Sequence, residues 1–132
     1  MIAGYSGTPL AKKLGFKPGQ RAWFSDMPAS VRAEIDTAID PLNQPEPPVE
    51  AAHLFVTHVA TLDCKLRMLL PLIARDGMVW VSWPKKASKK PTNITEDVIR
   101  AVALPLGLVD VKVCAVDETW SGLKLVIRKA LR

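Results

Sequence analysis

The chain has 132 residues, which suits one domain built around a single hydrophobic core. Apolar residues make up 48% of it and charged residues 23%, a globular balance that excludes an intrinsically disordered chain. No apolar run approaches the roughly 20 residues that cross a bilayer, and the first residues lack the basic and apolar regions of a signal peptide. The sequence therefore predicts a cytoplasmic protein with no membrane partner.

The first third of the chain is predicted to open an α/β fold. Thr8, Pro9 and Gly15 suit the N-cap, the first position and the end of a short helix. Residues 22–25 predict a first strand, and Ser30 is expected to cap the amphipathic helix that follows it. We therefore expect a helix, a strand and a second helix before the chain reaches its prolines.

Residues 40–50 contain four prolines, which favour an irregular surface connection over a helix or strand. These are Pro41, Pro45, Pro47 and Pro48. Too little folded mass precedes this connection to make a separate domain. We therefore expect residues 1–132 to form one domain, stiffened at residues 40–50 by the prolines.

The middle of the chain predicts two buried strands with a helix between them. Residues 53–57 and residues 78–83 are apolar runs typical of strands covered on both faces. The helix between them is expected to begin after Thr61 and to kink at Pro71, because proline removes a backbone hydrogen bond. The run at 78–83 is bounded by a glycine and a proline, and we take it as the central strand.

The last third predicts a helix and a closing hairpin. Asn93 and Glu96 have the spacing of a capping box at a helix start. Residues 109–116 begin with valines that alternate with charged residues, which indicates a strand with one wet face near a sheet edge. Residues 123–128 are expected to return antiparallel between this strand and the central strand. The predicted fold class is α/β, a three-layer sandwich whose mostly parallel sheet ends in an antiparallel strand.

Three stretches resemble a family of short bacterial proteins of unknown function. They are Ala-Gly-Tyr-Ser-Gly-Thr-Pro-Leu-Ala-Lys-Lys-Leu-Gly at residues 3–15, Trp-Pro-Lys-Lys-Ala-Ser at 83–88 and Asp-Val-Lys-Val-Cys-Ala-Val-Asp-Glu-Thr-Trp-Ser-Gly-Leu at 110–123. In its order of elements, the run from residue 63 to residue 128 is also similar to the second half of a class I methyltransferase. The resemblance implies a Rossmann-like, methyltransferase-like domain in a shortened and degenerate form, with no assigned activity.

The resemblance also raises an expectation about a cofactor. Class I methyltransferases hold S-adenosylmethionine with a glycine-rich loop after the first strand and a carboxylate that ends the second. Here Ser25-Asp-Met-Pro28 follows the first strand without a glycine, and the second strand would fall in the proline-rich connection. The sequence therefore predicts no cofactor, with S-adenosylmethionine binding weakly or not at all.

Four lysines directly after the central strand are the strongest functional signal, and they carry +4 of the formal net charge of +5. These are Lys85, Lys86, Lys89 and Lys90. Ligands bind at the carboxyl ends of strands in open α/β sheets, and clustered lysines neutralise phosphates. Trp80 and Trp83 lie on opposite sides of the strand, so they cannot form one platform for base stacking. An anionic partner is one interpretation, and a solvated loop that keeps the protein soluble is the other.

A crevice at the ends of the predicted parallel strands is the second candidate site. Its residues are Ser25, Asp26, Thr57, His58, Ser82 and Trp83. Adjacent strand ends assemble sites in Rossmann-like folds, and a Ser/His/Asp triad is conceivable from these residue types. No GxSxG motif accompanies them, so capping of the loops is the alternative, and no catalytic residue is assigned.

Cysteine and histidine residues predict no metal site. Cys64 and Cys114 are far apart and lack CxxC spacing, so both are expected to be reduced. With only His53 and His58 beside them, no zinc ligand set forms at familiar spacings. His53 is expected to be a packing residue.

The sequence as a whole favours a non-catalytic binding or regulatory module that uses the lysine loop as its contact surface. Two alternatives stay open. One is a degenerate methyltransferase-like enzyme, or a small-ligand binder, that uses the crevice. The other is nucleic-acid binding through the lysine loop.

Overall fold

A computed structural model describes residues 9–35 and 38–132. The four α-helices of this part are α1 (Leu10–Leu14), α2 (Ala29–Glu34), α3 (Val59–Leu69) and α4 (Glu96–Ala103). The strands are β1 (Arg21–Ser25), β2 (Asp40–Leu42), β3 (Val49–Phe55), β4 (Ile73–Pro84), β5 (Leu108–Ala115) and β6 (Trp120–Ile127). Short 3₁₀ turns lie at Lys86–Ser88, Leu104–Leu106 and Lys129–Leu131. The predicted cap Thr8 falls outside the described residues.

The strands form one sheet in the order β2-β1-β3-β4-β6-β5. The four strands from β2 to β4 are parallel to their neighbours. Strand β6 runs antiparallel between β4 and β5. The predicted fold class, with its antiparallel C-terminal strand in that place, is confirmed.

Helices cover both faces of the sheet and produce two cores. On one face α3 and α4 pack over a cluster that includes Val81, Trp83 and Leu123. On the other face α1 and α2 cover a cluster around Trp80. The Trp80 indole donates a hydrogen bond of 2.7 Å to the carbonyl of Leu14, the last residue of α1. The two tryptophans therefore belong to different cores, as their odd spacing along the strand predicts.

Strand β4 lies at the centre of the sheet, and Gly77 lies where its pairing with β3 is irregular. The pairing with β3 shifts between Val49 and Ala51, so part of β4 bulges out of the ladder. At Gly77 a Cβ atom would lie 2.9 Å from the Ala74 carbonyl oxygen and 3.0 Å from that of Glu50. Glycine is required here because two backbones approach it closely.

The proline-rich stretch is more regular than predicted. Residues Asp40–Leu42 form β2 and pair in parallel with β1, with Pro41 opposite Ala22. Proline is tolerated because β2 is an edge strand, where its missing N–H costs no ladder hydrogen bond. The expected connection therefore shrinks to the residues between β2 and β3.

Three predicted helix boundaries are wrong. Helix α2 begins after Pro28, so Ser30 lies inside it and does not cap it. Helix α3 is capped by His58, three residues before the predicted cap Thr61. The same helix ends at Leu69, so Pro71 follows it and produces no kink.

The predicted capping box is also wrong. Thr95 caps α4, since its hydroxyl accepts a hydrogen bond of 3.2 Å from the backbone N–H of Val98. The Asn93 side chain instead accepts a 2.8 Å bond from the backbone N–H of Val59, at the start of α3. Asn93 therefore joins two segments that are 34 residues apart.

Strand β5 departs from the predicted alternation. Its pairing with β6 shifts between Asp110 and Lys112, so the side chains change faces at that point. Val111 and Val113 are consequently 54% and 47% exposed. The alternating pattern identified the strand but not which residues face the solvent.

Candidate functional site

The connections of β1 place a switch point in the sheet. From β1 the chain proceeds to β2 on one side and then returns to β3 on the other side. In open α/β sheets the crevice outside the carboxyl ends of two such strands is the usual ligand site. We call the ends of β1 and β3, residues Ser25, Asp26, Thr57 and His58, the switch-point crevice.

The turn after β1 has an unusual backbone. Asp26 adopts φ 57°, a left-handed conformation that is strained for residues with a side chain. Lys65 on α3 reaches this turn, with its Nζ 3.0 Å from an Asp26 carboxylate oxygen and also bonded to the Ser25 hydroxyl. Ser25 is buried, whereas the Asp26 side chain is 77% exposed. One lysine therefore holds both polar groups of the turn.

The end of β3 is held by a second loop. The Thr57 carbonyl accepts hydrogen bonds from the Thr92 hydroxyl at 2.7 Å and from the Asn93 N–H at 3.3 Å. His58 caps α3, because its Nδ1 accepts a 3.2 Å bond from the N–H of Ala60. Both predicted residues of this strand end thus have structural partners, as the capping alternative expects, and their side chains are exposed at the sheet edge.

Ser82 and Trp83 do not join the crevice. The Ser82 hydroxyl lies under one face of the sheet, 2.7 Å from Nε2 of His53. The side chain of Trp83 packs in the core on the opposite face. The structure therefore places four of the six predicted crevice residues at adjacent strand ends and turns the other two inward, so no Ser/His/Asp triad forms from them.

His53 is a buried histidine inside the core. Its ring stacks on Phe55 with the ring centres 4.4 Å apart, and none of its surface is exposed. Burial lowers the pKa of His53 to about 3, so the ring is neutral near pH 7. Its Nδ1 has no hydrogen-bond partner within the described chain. His53 is a packing residue, although only one of its two nitrogens is satisfied.

The lysine loop (Lys85–Lys90) leaves the carboxyl end of β4 at the same edge of the sheet. Its 3₁₀ turn is closed by Lys89, which has φ 60°. The Ser88 hydroxyl donates a 2.7 Å bond to the Lys85 carbonyl. The Lys85 N–H in turn donates a 2.8 Å bond to the carbonyl of Thr119 in the β5–β6 turn. The loop therefore has a defined shape.

The β5–β6 turn places acidic residues beside the lysine loop. The carboxylate of Asp117 is occupied, since it accepts hydrogen bonds from the N–H groups of Thr119 and Trp120 at 2.8 and 2.7 Å. Glu118 is exposed. Within the described chain, no backbone N–H donates such a hydrogen bond to the carboxylate of Glu118.

A cavity of about 330 Å³ lies at the carboxyl end of β2. It is lined by Pro41, Leu42, Asn43, Gln44 and Glu46. Arg21 on β1 fixes this segment, because its guanidinium donates to the carbonyls of Pro48 at 2.9 Å and Glu46 at 3.1 Å. The sequence did not predict this cavity, because the prolines concealed β2.

The described chain contains neither a metal-binding cluster nor a membrane-spanning helix. No group of three or more His, Cys, Asp or Glu side chains within it could hold a metal ion. None of its helices has the length and apolar character needed to cross a membrane.

Comparisons with solved structures identify the fold as that of S-adenosylmethionine-dependent methyltransferases. The similarity to a methyltransferase of this kind from Aquifex aeolicus has a TM-score of 0.64 at 10% identity, over 88% of this chain and 87% of that one. Fibrillarin from Aeropyrum pernix, with natively bound S-adenosyl-L-methionine, gives 0.59 at 12% identity over 93% and 70%. The ribosomal protein L11 methylase from Lactobacillus delbrueckii gives 0.54 at 10% identity over 90% and 75%. No protein-family model and no curated protein matches the sequence.

These neighbours correct the prediction that the chain has no cofactor. That prediction depended on a missing glycine and a missing second strand, yet the fold is one whose solved examples include a protein with bound S-adenosyl-L-methionine. The structure also changes both physical grounds, although the turn after β1 still contains no glycine. The left-handed turn after β1 is made by Asp26, and the second strand is present as β2.

Proposed function

We propose that the chain is a methyltransferase-like enzyme that binds S-adenosylmethionine in the switch-point crevice. The observation that carries the proposal is the left-handed turn at Asp26, directly outside β1 and beside the end of β3. Strained backbone of this kind clusters at ligand sites. The fold of the neighbouring structures supports the same assignment.

The residues around the crevice fit the chemistry of this cofactor. The turn at Asp26 allows a ligand to approach the backbone, as a glycine would. The cavity after β2 offers the polar side chains of Asn43, Gln44 and Glu46 to the hydroxyl groups of a ribose. Lys65 offers an ammonium group for the carboxylate of the methionine part.

The cofactor would supply an electrophilic methyl group, and this chain would supply binding and orientation. Lys65 holds the turn after β1 through Ser25 and Asp26, which fixes one wall of the crevice. The Thr92 hydroxyl and the Asn93 backbone N–H both donate to the Thr57 carbonyl and fix the end of β3, which forms the other wall. Two walls fixed by side-chain bonds favour a preorganised site.

Calorimetry with S-adenosylmethionine tests this proposal with a matched pair of variants. Asp26→Gly keeps the left-handed turn and should retain binding to within a few-fold. Asp26→Val is incompatible with φ near 57° and should weaken binding by at least about tenfold. Absence of any heat from the wild-type chain at millimolar cofactor would contradict the proposal.

The rival is the non-catalytic binding module. It is supported by the absence of a glycine in the turn after β1 and by the partners already held by Thr57 and His58. The two functions differ in turnover. Transfer of a labelled methyl group to any acceptor in a cell extract supports the enzyme, whereas tight cofactor binding without transfer supports the module.

A further inference from the structure

We propose that the lysine loop binds the phosphodiester backbone of nucleic acids without reading the bases. This surface is distinct from the switch-point crevice, and the proposal does not depend on the cofactor. The loop carries +4 of the formal net charge of +5, so the rest of the chain is close to neutral. A concentrated positive charge on one loop directs an anion to that place.

Within the described chain, no carboxylate forms an ion pair with the lysine loop. The ion pairs of the described chain join carboxylates to Lys65, Arg67 and Arg100. No carboxylate in residues 9–35 and 38–132 pairs with a lysine of the loop. A lysine without an internal partner keeps its whole charge for a phosphate, and counterions released from the nucleic acid then favour binding.

The loop is also preorganised. Ser88 ties it internally, since both its backbone N–H and its hydroxyl donate to the Lys85 carbonyl, at 3.0 and 2.7 Å. The bond from the Lys85 N–H to Thr119 attaches it to the β5–β6 turn. The segment that follows is attached to the end of β3 through Thr92. A loop with a fixed backbone loses little conformational entropy when it binds.

Lys89 provides a separate indication of function. Its φ of 60° is a conformation that glycine adopts without cost and lysine adopts only under strain. In the described chain only Asp26 shares this property among residues other than glycine. Glycine would relieve the strain at the end of this 3₁₀ turn but would remove the side chain. The lysine instead places an ammonium group at this position.

The composition of the loop indicates the class of partner. Between Lys85 and Lys90 the only other residues are Ala87 and Ser88, so the loop presents no aromatic ring for stacking on bases. Trp80 and Trp83 are both buried. The loop also has no large apolar side chain to insert into a lipid surface. Charge contacts to phosphates are what remain, which favours backbone binding over base recognition.

Fluorescence anisotropy with labelled single-stranded RNA and DNA of the same sequence tests the proposal in the absence of cofactor. Both nucleic acids should bind, and up to four phosphate contacts predict a slope of log affinity against log salt of about −3. A variant with Lys85, Lys86, Lys89 and Lys90 replaced by glutamine should lose at least about tenfold in affinity at low salt and most of that slope. Its net charge falls from +5 to +1.

A second quadruple variant is the matched control. Replacing Lys12, Lys17, Lys124 and Lys129 with glutamine also lowers the net charge from +5 to +1. It should retain most of the nucleic-acid affinity, because these four lysines lie outside the lysine loop. Equal losses in the two variants would show that only net charge matters and would overturn the proposal.

Three other outcomes would also overturn it. One is strong dependence on base sequence at constant length. Another is binding of inorganic polyphosphate or phosphatidylserine vesicles without binding of either nucleic acid. The third is unchanged nucleic-acid affinity in a loop variant whose circular dichroism spectrum shows the native fold. Because no cofactor is present, failure of this test leaves the proposed function of the crevice unaffected.

Discussion

The turn after β1 and the lysine loop after β4 leave the same edge of the sheet and differ in how their charges are held. Each contains a residue with a side chain in the left-handed conformation, Asp26 in the first and Lys89 in the second. In the turn after β1 the Asp26 carboxylate is paired with Lys65 at 3.0 Å. In the lysine loop no carboxylate of the described chain balances the ammonium groups.

This difference separates a site for a small molecule from a surface for a polyanion. A turn whose charges are paired within the fold presents a fixed shape and little net charge, which suits a ligand with several polar groups. A loop with unpaired cations presents net charge at long range, which suits a partner with many phosphates.

Lowering the pH should give the largest effect on the free energy of unfolding. It should act through His53 in β3, the strand that pairs with β1. His53 lies in β3, and its folded pKa of about 3 is below the ordinary value of 6.5. The unfolded state therefore binds the proton more readily, so stability is fully present above pH 6.5 and is lost as the pH falls toward 3. Between pH 8 and pH 5 this histidine should reduce the free energy of unfolding by about 2 kcal/mol.

Urea unfolding of the wild type and His53→Gln at both pH values measures this effect. The variant lacks the titrating ring, so the difference between the two proteins isolates His53 from other groups. An equal pH dependence in both proteins would show that His53 is not buried as the structure indicates.

Replacement of Lys65 should change ligand binding at the turn after β1 and not at the lysine loop. Lys65→Met leaves Ser25 and Asp26 without their partner, and we expect cofactor affinity to fall by about tenfold. Since the ion pair is partly exposed, the free energy of unfolding should fall by no more than about 1 kcal/mol. Arg67→Met is the control, because it breaks the 3.1 Å pair with Asp63 on the same helix away from the turn. Equal effects of the two variants on cofactor binding would contradict a specific role for Lys65.

Glycine substitutions should relieve strain in both regions but affect different ligands. Asp26→Gly and Lys89→Gly should each raise the free energy of unfolding by about 0.5–1 kcal/mol, while alanine at either position should not. Lys89→Gly should also reduce the salt slope of nucleic-acid binding by about 0.7, and Asp26→Gly should leave that slope unchanged. Urea unfolding and anisotropy titrations give both quantities. A loss of stability in both glycine variants would show that the left-handed backbone is not a source of strain.

Removal of Glu118 should give the smallest effect. Its exposed carboxylate lies in the turn whose Thr119 is bonded to the lysine loop, so it repels an approaching phosphate. Glu118→Gln should raise nucleic-acid affinity by about twofold at low salt and by less at physiological salt, because salt screens exposed charges. Weaker binding by this variant would indicate that the turn contributes contacts and not repulsion.

The sequence was sufficient to predict the layers of the fold. The apolar runs at β3 and β4 have few polar side chains, and a strand of this kind must be covered on both faces. The parallel order of β1, β3 and β4 follows from the alternation of helices and strands. Strand β2 was missed because only three residues with a central proline form it, and their pairing with β1 is a tertiary effect.

The candidate site could be predicted only in part. The carboxyl ends of strands identify where Asp26 and Thr57 lie, but periodicity does not reveal that Lys65 reaches back 39 residues to the turn after β1. The sequence also does not predict the left-handed conformations of Asp26 and Lys89, because such a backbone is normally indicated by glycine. The role of Asn93 is likewise a tertiary effect, since its side chain binds the first N–H of α3 and does not cap its own helix.

Nuclear magnetic resonance tests the division between the two regions most directly. Amide correlation spectra of the ¹⁵N-labelled chain would be recorded during separate titrations with S-adenosylmethionine and with single-stranded RNA. We expect the cofactor to shift the amides of Asp26, Thr57 and their neighbours, and the RNA to shift those of Lys86 and Lys89. A cofactor that shifts none of the crevice amides, or two ligands that shift the same set, would contradict this account.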